Sequence, residues 1–187
     1  MAGREKGKMQ PIRNKETMQQ MKDWLLKNKG YKYYFLWILG CNSGLRVSDL
    51  IRLKVADVRD KDRFSIITEK TEREVEVHLN PYVRDEIRKY IEGKEDKEYL
   101  FPSREGVNKP ITRQMASSVI KDAANALGLK NVNSHSMRKS FGYFYYKSQK
   151  NVAYLMELFG HNTQKQTLDY IGLTSDDIQD TMKDFQI

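Results

Sequence analysis

The fold is organised around residues 43–50, which read Ser43-Gly44-Leu45-Arg46-Val47-Ser48-Asp49-Leu50. Gly44 is a helix stop, so this stretch predicts a turn between two helices. Before the turn, Lys32–Cys41 is apolar nearly all round, which predicts a helix in the core of this half of the chain. After it, Val47–Leu53 predicts a short helix with its apolar residues turned inward. An arginine that opens a helix directly after a glycine turn can point into a cleft.

Outward from this turn, the hydrophobic pattern predicts a mainly α fold with a small antiparallel β-sheet. Two strands, Arg63–Thr68 and Glu74–Leu79, are predicted by short β-rich stretches joined by a charged turn, and the second alternates strictly. Period and capping residues predict the remaining helices. These are Lys15–Asn28, Pro81–Glu92, Arg113–Leu127, His135–Ser148 with Ser134 as its cap, Val152–Phe159 and Thr163–Tyr170.

Composition points to one basic domain. A chain of 187 residues buries one good core, and its formal charge of +8 with a pI near 9.4 favours a polyanionic partner. The single cysteine, Cys41, excludes an internal disulfide and lies in an apolar context that predicts a buried thiol. The apolar run 33–39 is too short to cross a bilayer, and the charged first residues do not form a signal peptide. We therefore expect a cytoplasmic protein.

The chain divides by composition into two parts. Residues 1–13 predict a flexible basic lead-in, either a solvated tail or an arm that touches DNA. We expect residues 14–187 to form the domain itself. Its last segment, 174–187, predicts an amphipathic helix that displays Ile178, Met182 and Phe185. This apolar stripe fits either docking on its own core or exchange with a neighbouring protomer.

Several widely separated side chains fit one reaction. Breaking a phosphodiester concentrates negative charge on the phosphorus oxygens, so protein-only catalysis needs fixed cations, a nucleophile and an acid for the leaving oxygen. His135 and Arg138 are three residues apart on one predicted helix face, where both can reach a phosphate. Alone, each candidate has an ordinary explanation, such as a solvated turn lysine or one of 11 tyrosines. The full set is Arg46, Lys70, His135, Arg138, His161 and Tyr170.

In their order and context these residues closely resemble the catalytic half of the tyrosine recombinases, also called the phage integrase family. The resemblance extends from Asn14 to Leu173. It rests on the stretch around Arg46 together with Glu69-Lys70-Thr71, Leu100-Phe101-Pro102-Ser103, His135-Ser136-Met137-Arg138-Lys139-Ser140-Phe141, Leu158-Phe159-Gly160-His161 and Thr167-x-x-Tyr170.

The resemblance implies a role for each catalytic candidate. Tyr170 would attack a DNA phosphate and form a 3′-phosphotyrosyl link, which releases a 5′-hydroxyl. Arg46 and Arg138 would clamp the non-bridging oxygens, because a guanidinium pairs with two phosphate oxygens and keeps its charge. Lys70 would protonate the leaving 5′ oxygen.

The remaining positions are supporting ones. His135 would assist proton transfer at the tyrosine, and His161 would hydrogen-bond the phosphate. Asp49 matches an acidic position of the family and would brace the active-site arginines or His135. No metal or other cofactor is expected, because the arginines supply the charge.

The implied partner is double-stranded DNA, with Lys139, Arg13 and Lys15 as further DNA contacts. The family further implies self-association on DNA, from dimer to tetramer. Most members carry an additional N-terminal domain that grips the other face of the DNA, and this chain reads as a solitary catalytic domain. An accessory DNA-binding protein is therefore a possible partner. The sequence also departs from the family at Gly172, where a histidine is frequent.

Three functions compete on this pattern. The leading one is a site-specific recombinase that integrates, excises or resolves a mobile element. The alternative is a DNA-binding regulator that keeps the fold without strand exchange, although the nucleophile and both arginines are present. A relaxing enzyme resembling type IB topoisomerases would use the same chemistry.

Overall fold

The computed structural model describes residues 9–173 and Asp177. Within them lie nine helices and one two-stranded sheet. The helices are α1 (Lys15–Lys29), α2 (Tyr31–Ser43), α3 (Val47–Leu50), α4 (Val55–Val58), α5 (Pro81–Ile91), α6 (Arg113–Ala126), α7 (Ser134–Gln149), α8 (Val152–Phe159) and α9 (Gln164–Ile171), and the strands are β1 (Arg63–Ile67) and β2 (Glu74–His78). The predicted mainly α fold with a small antiparallel sheet is confirmed.

The core forms around α2, as its apolar sequence predicted. Residues 35–39 of this helix are fully buried. Helices α1, α5 and α7 all pack against α2, so its surface is covered on several sides. This arrangement explains why α2 lacks the polar face of a surface helix.

The hairpin pairs in register as an antiparallel ladder, with Arg63 opposite His78 and Ile67 opposite Glu74. Phe64 and Val77 face each other across the ladder and are both buried, while most of their neighbours along the strands are exposed. The predicted strands are therefore confirmed, each one residue shorter at its C-terminal end.

A second, smaller apolar cluster lies under the C-terminal helices. Its fully or nearly fully buried members are Leu155, Leu158, Phe159 and Ile171, so α8 and α9 meet over their apolar faces. Partly buried aromatic side chains of α7 pack against the same cluster. This cluster holds α9 against the end of α8, where the candidate residues converge.

Three local details differ from the sequence-based prediction. The helix predicted over Val47–Leu53 ends at Leu50, and the Leu53 carbonyl instead accepts the backbone N–H of Leu100 at 2.9 Å. The cap of α7 is Asn133 rather than Ser134, because the Asn133 Oδ1 accepts the backbone N–H of His135 at 2.9 Å. The one-turn helix α4 was not predicted, because four residues carry no readable helical period. The last predicted helix, within 174–187, lies outside the described residues apart from Asp177.

The prediction of a flexible lead-in over residues 1–13 is wrong for residues 9–13. Ile12 is buried, its backbone N–H donates to the Ser140 Oγ at 2.8 Å, and the Gln10 N–H donates to the Asn131 carbonyl at 2.9 Å. An apolar Pro-Ile pair inside a charged segment was the signal for this docking. Residues 1–8 are not among those described. Across the described residues, no helix has the length and apolar character to cross a membrane.

Candidate active site

The tyrosine predicted as nucleophile lies near the C-terminal end of α9. The Thr163 side chain caps the start of this helix by accepting the Gln166 N–H at 3.1 Å, and Gly172 ends it in the left-handed region with φ of 72°. The Tyr170 ring packs edge-on against Phe159, with ring centroids 5.2 Å apart. These contacts hold the phenol beside the end of α8 rather than in open solvent.

Arg138, on α7, is the most buried of the candidate cations, with 2% of its surface exposed. Its guanidinium donates to the Gly44 carbonyl at 2.5 Å and to the Leu158 carbonyl at 3.4 Å. It also lies 4.3 Å from the centroid of the Phe159 ring. Arg138 therefore ties the Gly44 turn to the end of α8, and its position is set by backbone atoms.

The Gly44 turn needs its glycine. Its φ is 67°, which side chains rarely adopt, and a Cβ there would lie 2.6 Å from the Phe141 ring. This close approach brings the Gly44 carbonyl to Arg138. It also places Arg46, at the cap of α3, on the same side of the molecule.

The positive charges of Arg138 and Arg46 favour an anion between the two side chains. The pKa of Arg138 is lowered to about 10, chiefly by burial and also by the positive charge of Arg46, while the Tyr170 phenol opposes the shift. A lowered arginine pKa means that the surrounding protein groups compensate its charge poorly. Two guanidiniums that repel each other in this way would gain from a phosphate.

The Tyr170 phenol is neutral at ordinary pH in this arrangement. Burial raises its pKa above the usual value, whereas Arg138, which also lies within hydrogen-bonding reach, and Arg46 act to lower it. An anionic phenolate would be stabilised by the two arginines. The phenol thus requires a proton acceptor before it can attack.

Of the two candidate histidines, His161 is the one beside the nucleophile. Its ring meets the Tyr170 ring at 5.1 Å between centroids, and its Nδ1 lies 3.1 Å from the Thr167 Oγ1. Burial and the charges of Arg138 and Arg46 lower the pKa of His161.

The sequence placed His135 at the tyrosine, but its side chain is exposed and lines the neighbouring cleft. Partial desolvation of the ring, and then the charges of several nearby cations, also lower the pKa of His135 although the residue as a whole is exposed.

A cleft of about 640 Å³ opens beside these groups. Arg46, Lys70 and His135 line it together, so the structure brings three of the predicted residues from distant parts of the chain to one concave surface. Lys70 is exposed and lies in the turn between β1 and β2. Its carbon chain is unconstrained by burial, in contrast to Arg138.

Asp49 is fully buried, and its contact is with the Lys70 turn. Its Oδ1 accepts the backbone N–H of Glu69 at 2.9 Å. The carboxylate also raises the pKa of Arg138. The expected brace for the arginines is thus electrostatic, and the hydrogen bond itself fixes the residue that precedes Lys70.

The predicted DNA contacts do not share one environment. Lys139 is buried, and its ammonium donates to the Tyr170 backbone carbonyl at 2.8 Å, so its placement favours a role at α9 over the expected phosphate contact. Arg13 is half-buried and donates to the Gly172 carbonyl at 2.6 Å. Lys15, at the start of α1, is exposed.

Comparison with known proteins identifies the family of this chain. The family model of the phage integrase family matches residues 9–176. The chain belongs to this family. The probable integrase/recombinase YoeC of Bacillus subtilis (strain 168) is 37% identical over 177 residues, which cover 95% of this chain and 97% of YoeC.

Solved structures of other integrase-family proteins share the fold at low identity. A crystal structure of XerA recombinase superposes with a TM-score of 0.77 at 16% identity, covering 94% of this chain and 65% of that one. The Tn1549 transposon integrase in complex with circular intermediate DNA gives a TM-score of 0.73 at 17% identity, covering 92% and 66%. The chain therefore spans about two thirds of these two proteins.

The structure also adds cleft residues that the sequence analysis of this integrase-family chain missed. Arg113, Gln114 and Ser117, on the first turns of α6, line the cleft together with Arg46 and Lys70. The sequence could have indicated this shared surface, because the period of the predicted helix puts positions 113, 114 and 117 on one face. No group of three or more metal-ligating side chains occurs in the described part of the chain.

Proposed function

We propose that this protein is a site-specific recombinase that cleaves and rejoins double-stranded DNA through a 3′-phosphotyrosyl intermediate at Tyr170. One observation carries the proposal most directly: the buried Arg138 guanidinium and the Tyr170 ring pack on the same Phe159 ring, at 4.3 Å and 5.2 Å from its centroid, and the charges of Arg138 and Arg46 both act to lower the pKa of the phenol. Family membership supports the reaction class. The Tn1549 integrase, which shares the fold, binds circular intermediate DNA.

In the proposed cleavage step, each of these groups has one role. The Tyr170 Oη forms a bond to phosphorus, and the bond from phosphorus to the 5′ oxygen breaks. Arg138 and Arg46 neutralise the charge that develops on the two non-bridging oxygens. Lys70 gives its proton to the departing 5′ oxygen, which leaves as a hydroxyl. A 5′-hydroxyl attacking the phosphotyrosyl bond reverses these steps, and the phosphodiester is restored without an external energy source.

The phenolic proton needs an acceptor, and a neutral imidazole fits. Both histidines of the site have lowered pKa values, so both are uncharged near neutral pH. His161 lies beside the Tyr170 ring in the free protein. We assign His161 to the phenol in this state. His135, in the cleft, is placed to hydrogen-bond the phosphate once DNA occupies it.

DNA would lie along the basic cleft. Arg113 from α6 and Lys70 from the hairpin turn both line it, and both offer phosphate contacts. Lys15 adds an exposed charge at the start of α1. The reaction we propose is integration, excision or resolution of a mobile element, with dimers or tetramers assembling on DNA and an accessory DNA-binding protein as a further candidate partner. The arginines provide the charge, so no metal cofactor is part of the mechanism.

Covalent trapping tests the proposal. Nicked duplexes of randomised sequence would be incubated with the protein, so that cleavage releases a short fragment and cannot reverse. We expect an SDS-resistant protein–DNA adduct, with the DNA attached to the peptide that contains Tyr170, and we expect none with Tyr170→Phe. DNA binding without any adduct would contradict the recombinase and favour the regulator. Relaxation of plasmids lacking a selected site would favour the topoisomerase-like enzyme.

A further inference from the structure

The segment 9–13, which we call the N-terminal strap, crosses from α7 to the C-terminal end of α9. Ile12 fixes its middle, because the Ile12 N–H donates to the Ser140 Oγ on α7 and its side chain is buried. Arg13 follows, and its guanidinium donates to the Gly172 carbonyl at 2.6 Å. The strap therefore links a helix that carries Arg138 to the helix that carries Tyr170.

Two cations meet the C-terminal end of α9. Arg13 holds the Gly172 carbonyl, and the Lys139 ammonium donates to the Tyr170 carbonyl at 2.8 Å. The last carbonyls of a helix have no partner within the helix and carry the negative end of its dipole, so cations are favourable there. Both contacts act on the backbone of the nucleophile or of the residue two positions after it.

The glycine at position 172 fits this arrangement. Gly172 has a φ of 72°, and a Cβ there would lie 2.8 Å from the Arg13 Nη2 and 3.3 Å from the Pro11 Cδ. The absence of a side chain allows the strap to approach the helix end.

The chain beyond α9 is held by the same group of side chains. The Arg13 guanidinium lies 5.5 Å from the centroid of the Tyr143 ring, and the Tyr143 hydroxyl donates to the Asp177 Oδ1 at 2.9 Å. Asp177 also lies 3.5 Å from the Lys147 ammonium. Position 172 is therefore held by Arg13 of the strap, and position 177 is held by Tyr143 and Lys147 of α7.

We infer that Arg13 is a positioning residue for the nucleophile: by holding the Gly172 carbonyl, it keeps Tyr170 docked at Arg138 of its own chain before DNA arrives. The inference rests on the proposed role of Tyr170. It replaces the direct DNA contact that the sequence suggested for Arg13. Loss of the strap leaves α9 free to tilt, and displacement of a nucleophile by about 1 Å can cost roughly a hundredfold in rate.

The first arm of the test needs no DNA. Hydrogen exchange of the backbone amides of α9 would be compared between the wild type, Arg13→Ala and Arg88→Ala. Arg88 is an exposed arginine on α5, so its variant loses the same charge away from the strap. We expect faster exchange in α9 for Arg13→Ala alone, with α1 and α6 unchanged. Unchanged exchange in α9 would overturn the inference whatever the protein does to DNA.

The second arm measures cleavage with the nicked duplex recovered from covalent trapping. At saturating protein, we expect Arg13→Ala to form the Tyr170 adduct about tenfold to a hundredfold more slowly. The dissociation constant for the same duplex should stay unchanged, and Arg13→Lys, which can still donate to the carbonyl, should recover most of the rate. Gly172→Ala, which pushes on the same contact from the other side, should slow cleavage as well.

The outcomes separate the two claims. A wild-type protein that forms no Tyr170 adduct contradicts the proposed function, while the exchange measurement still reports on the strap. A wild-type protein that forms the adduct, with Arg13→Ala equally fast, contradicts only the inference. Weaker DNA binding at an unchanged cleavage rate would likewise overturn it and return Arg13 to the role of a DNA contact.

Discussion

Arg138 and Lys70 belong to the same proposed reaction and lie in opposite environments. Arg138 is 2% exposed and is held by two backbone carbonyls and an aromatic ring. Lys70 is exposed on a hairpin turn, and the described part of the chain offers its ammonium no hydrogen bond. The difference indicates that the charge clamp is built in advance, whereas the proton donor reaches its place with the substrate.

The two environments, buried for Arg138 and exposed for Lys70, suit the two proposed roles. A charge clamp gains from burial, because a fixed cation in a dry site stabilises developing charge more strongly than one in water. A proton donor must exchange protons with solvent after each step, which exposure permits. The buried carboxylate of Asp49 joins the two halves, since it raises the pKa of Arg138 and holds the Glu69 N–H next to Lys70.

Lys70→Ala should show the largest separation between activity and stability. General acid catalysis contributes about 10²-fold to 10⁴-fold, so we expect cleavage of the nicked duplex to slow by this factor. An exposed side chain without a buried contact should change the free energy of unfolding by no more than about 0.5 kcal/mol. Single-turnover cleavage and a urea melt measure the two quantities. A large loss of stability would show that the turn, rather than the ammonium, was disrupted.

Arg138→Lys should affect both quantities. The lysine keeps the charge but loses the planar fork, so we expect cleavage to slow by about 10²-fold to 10³-fold. One or both carbonyls of Gly44 and Leu158 would lose a donor, which should lower the free energy of unfolding by about 1–3 kcal/mol. The same two assays apply. A fully active Arg138→Lys variant would contradict the buried clamp.

Asp49→Ala should slow cleavage in the same way as Lys70→Ala, but by a smaller factor. The Glu69 N–H loses its acceptor, so the turn that carries Lys70 loses its anchor and cleavage should slow by about tenfold to a hundredfold. Asp49→Asn keeps a side-chain oxygen and should retain more activity than alanine. If asparagine and alanine were equally inactive, the charge beside Arg138 would matter more than the turn.

The smallest effect we expect concerns pH. The pKa values of His135 and His161 are lowered in the folded protein, chiefly by burial and nearby cations. The unfolded chain therefore binds protons first, so their contribution to stability is present above a pH of about 6.5 and is lost as the pH falls towards the folded values.

Thermal melts between neutral pH and about pH 5 measure this effect. His161→Gln should flatten the pH dependence of the melting temperature, because glutamine does not titrate. His78→Gln, which changes an exposed histidine on β2 outside the cleft, provides the control. Equal flattening by both variants would contradict the assignment to the site.

The sequence predicted the elements better than their contacts. The hairpin and the major helices follow from period and capping residues that are local in the chain. The catalytic set followed from order and context, because no single member is distinctive. The contacts of Lys139 and Asp49 with backbone groups were not predictable, since they depend on where α9 and the hairpin turn pack. The strap was missed because residues 1–13 are rich in charge as a whole, and Ile12 alone gives no periodic apolar pattern.

The division between clamp and acid is tested most directly by changing the leaving group. A nicked duplex with sulfur in place of the scissile 5′ oxygen releases a thiolate, which leaves readily without a proton because a thiol is far more acidic than an alcohol. We predict that Lys70→Ala cleaves this substrate at nearly the wild-type rate, whereas Arg138→Lys stays slow. Equal recovery of both variants, or of neither, would contradict the assignment of Lys70 as the proton donor and Arg138 as the fixed clamp.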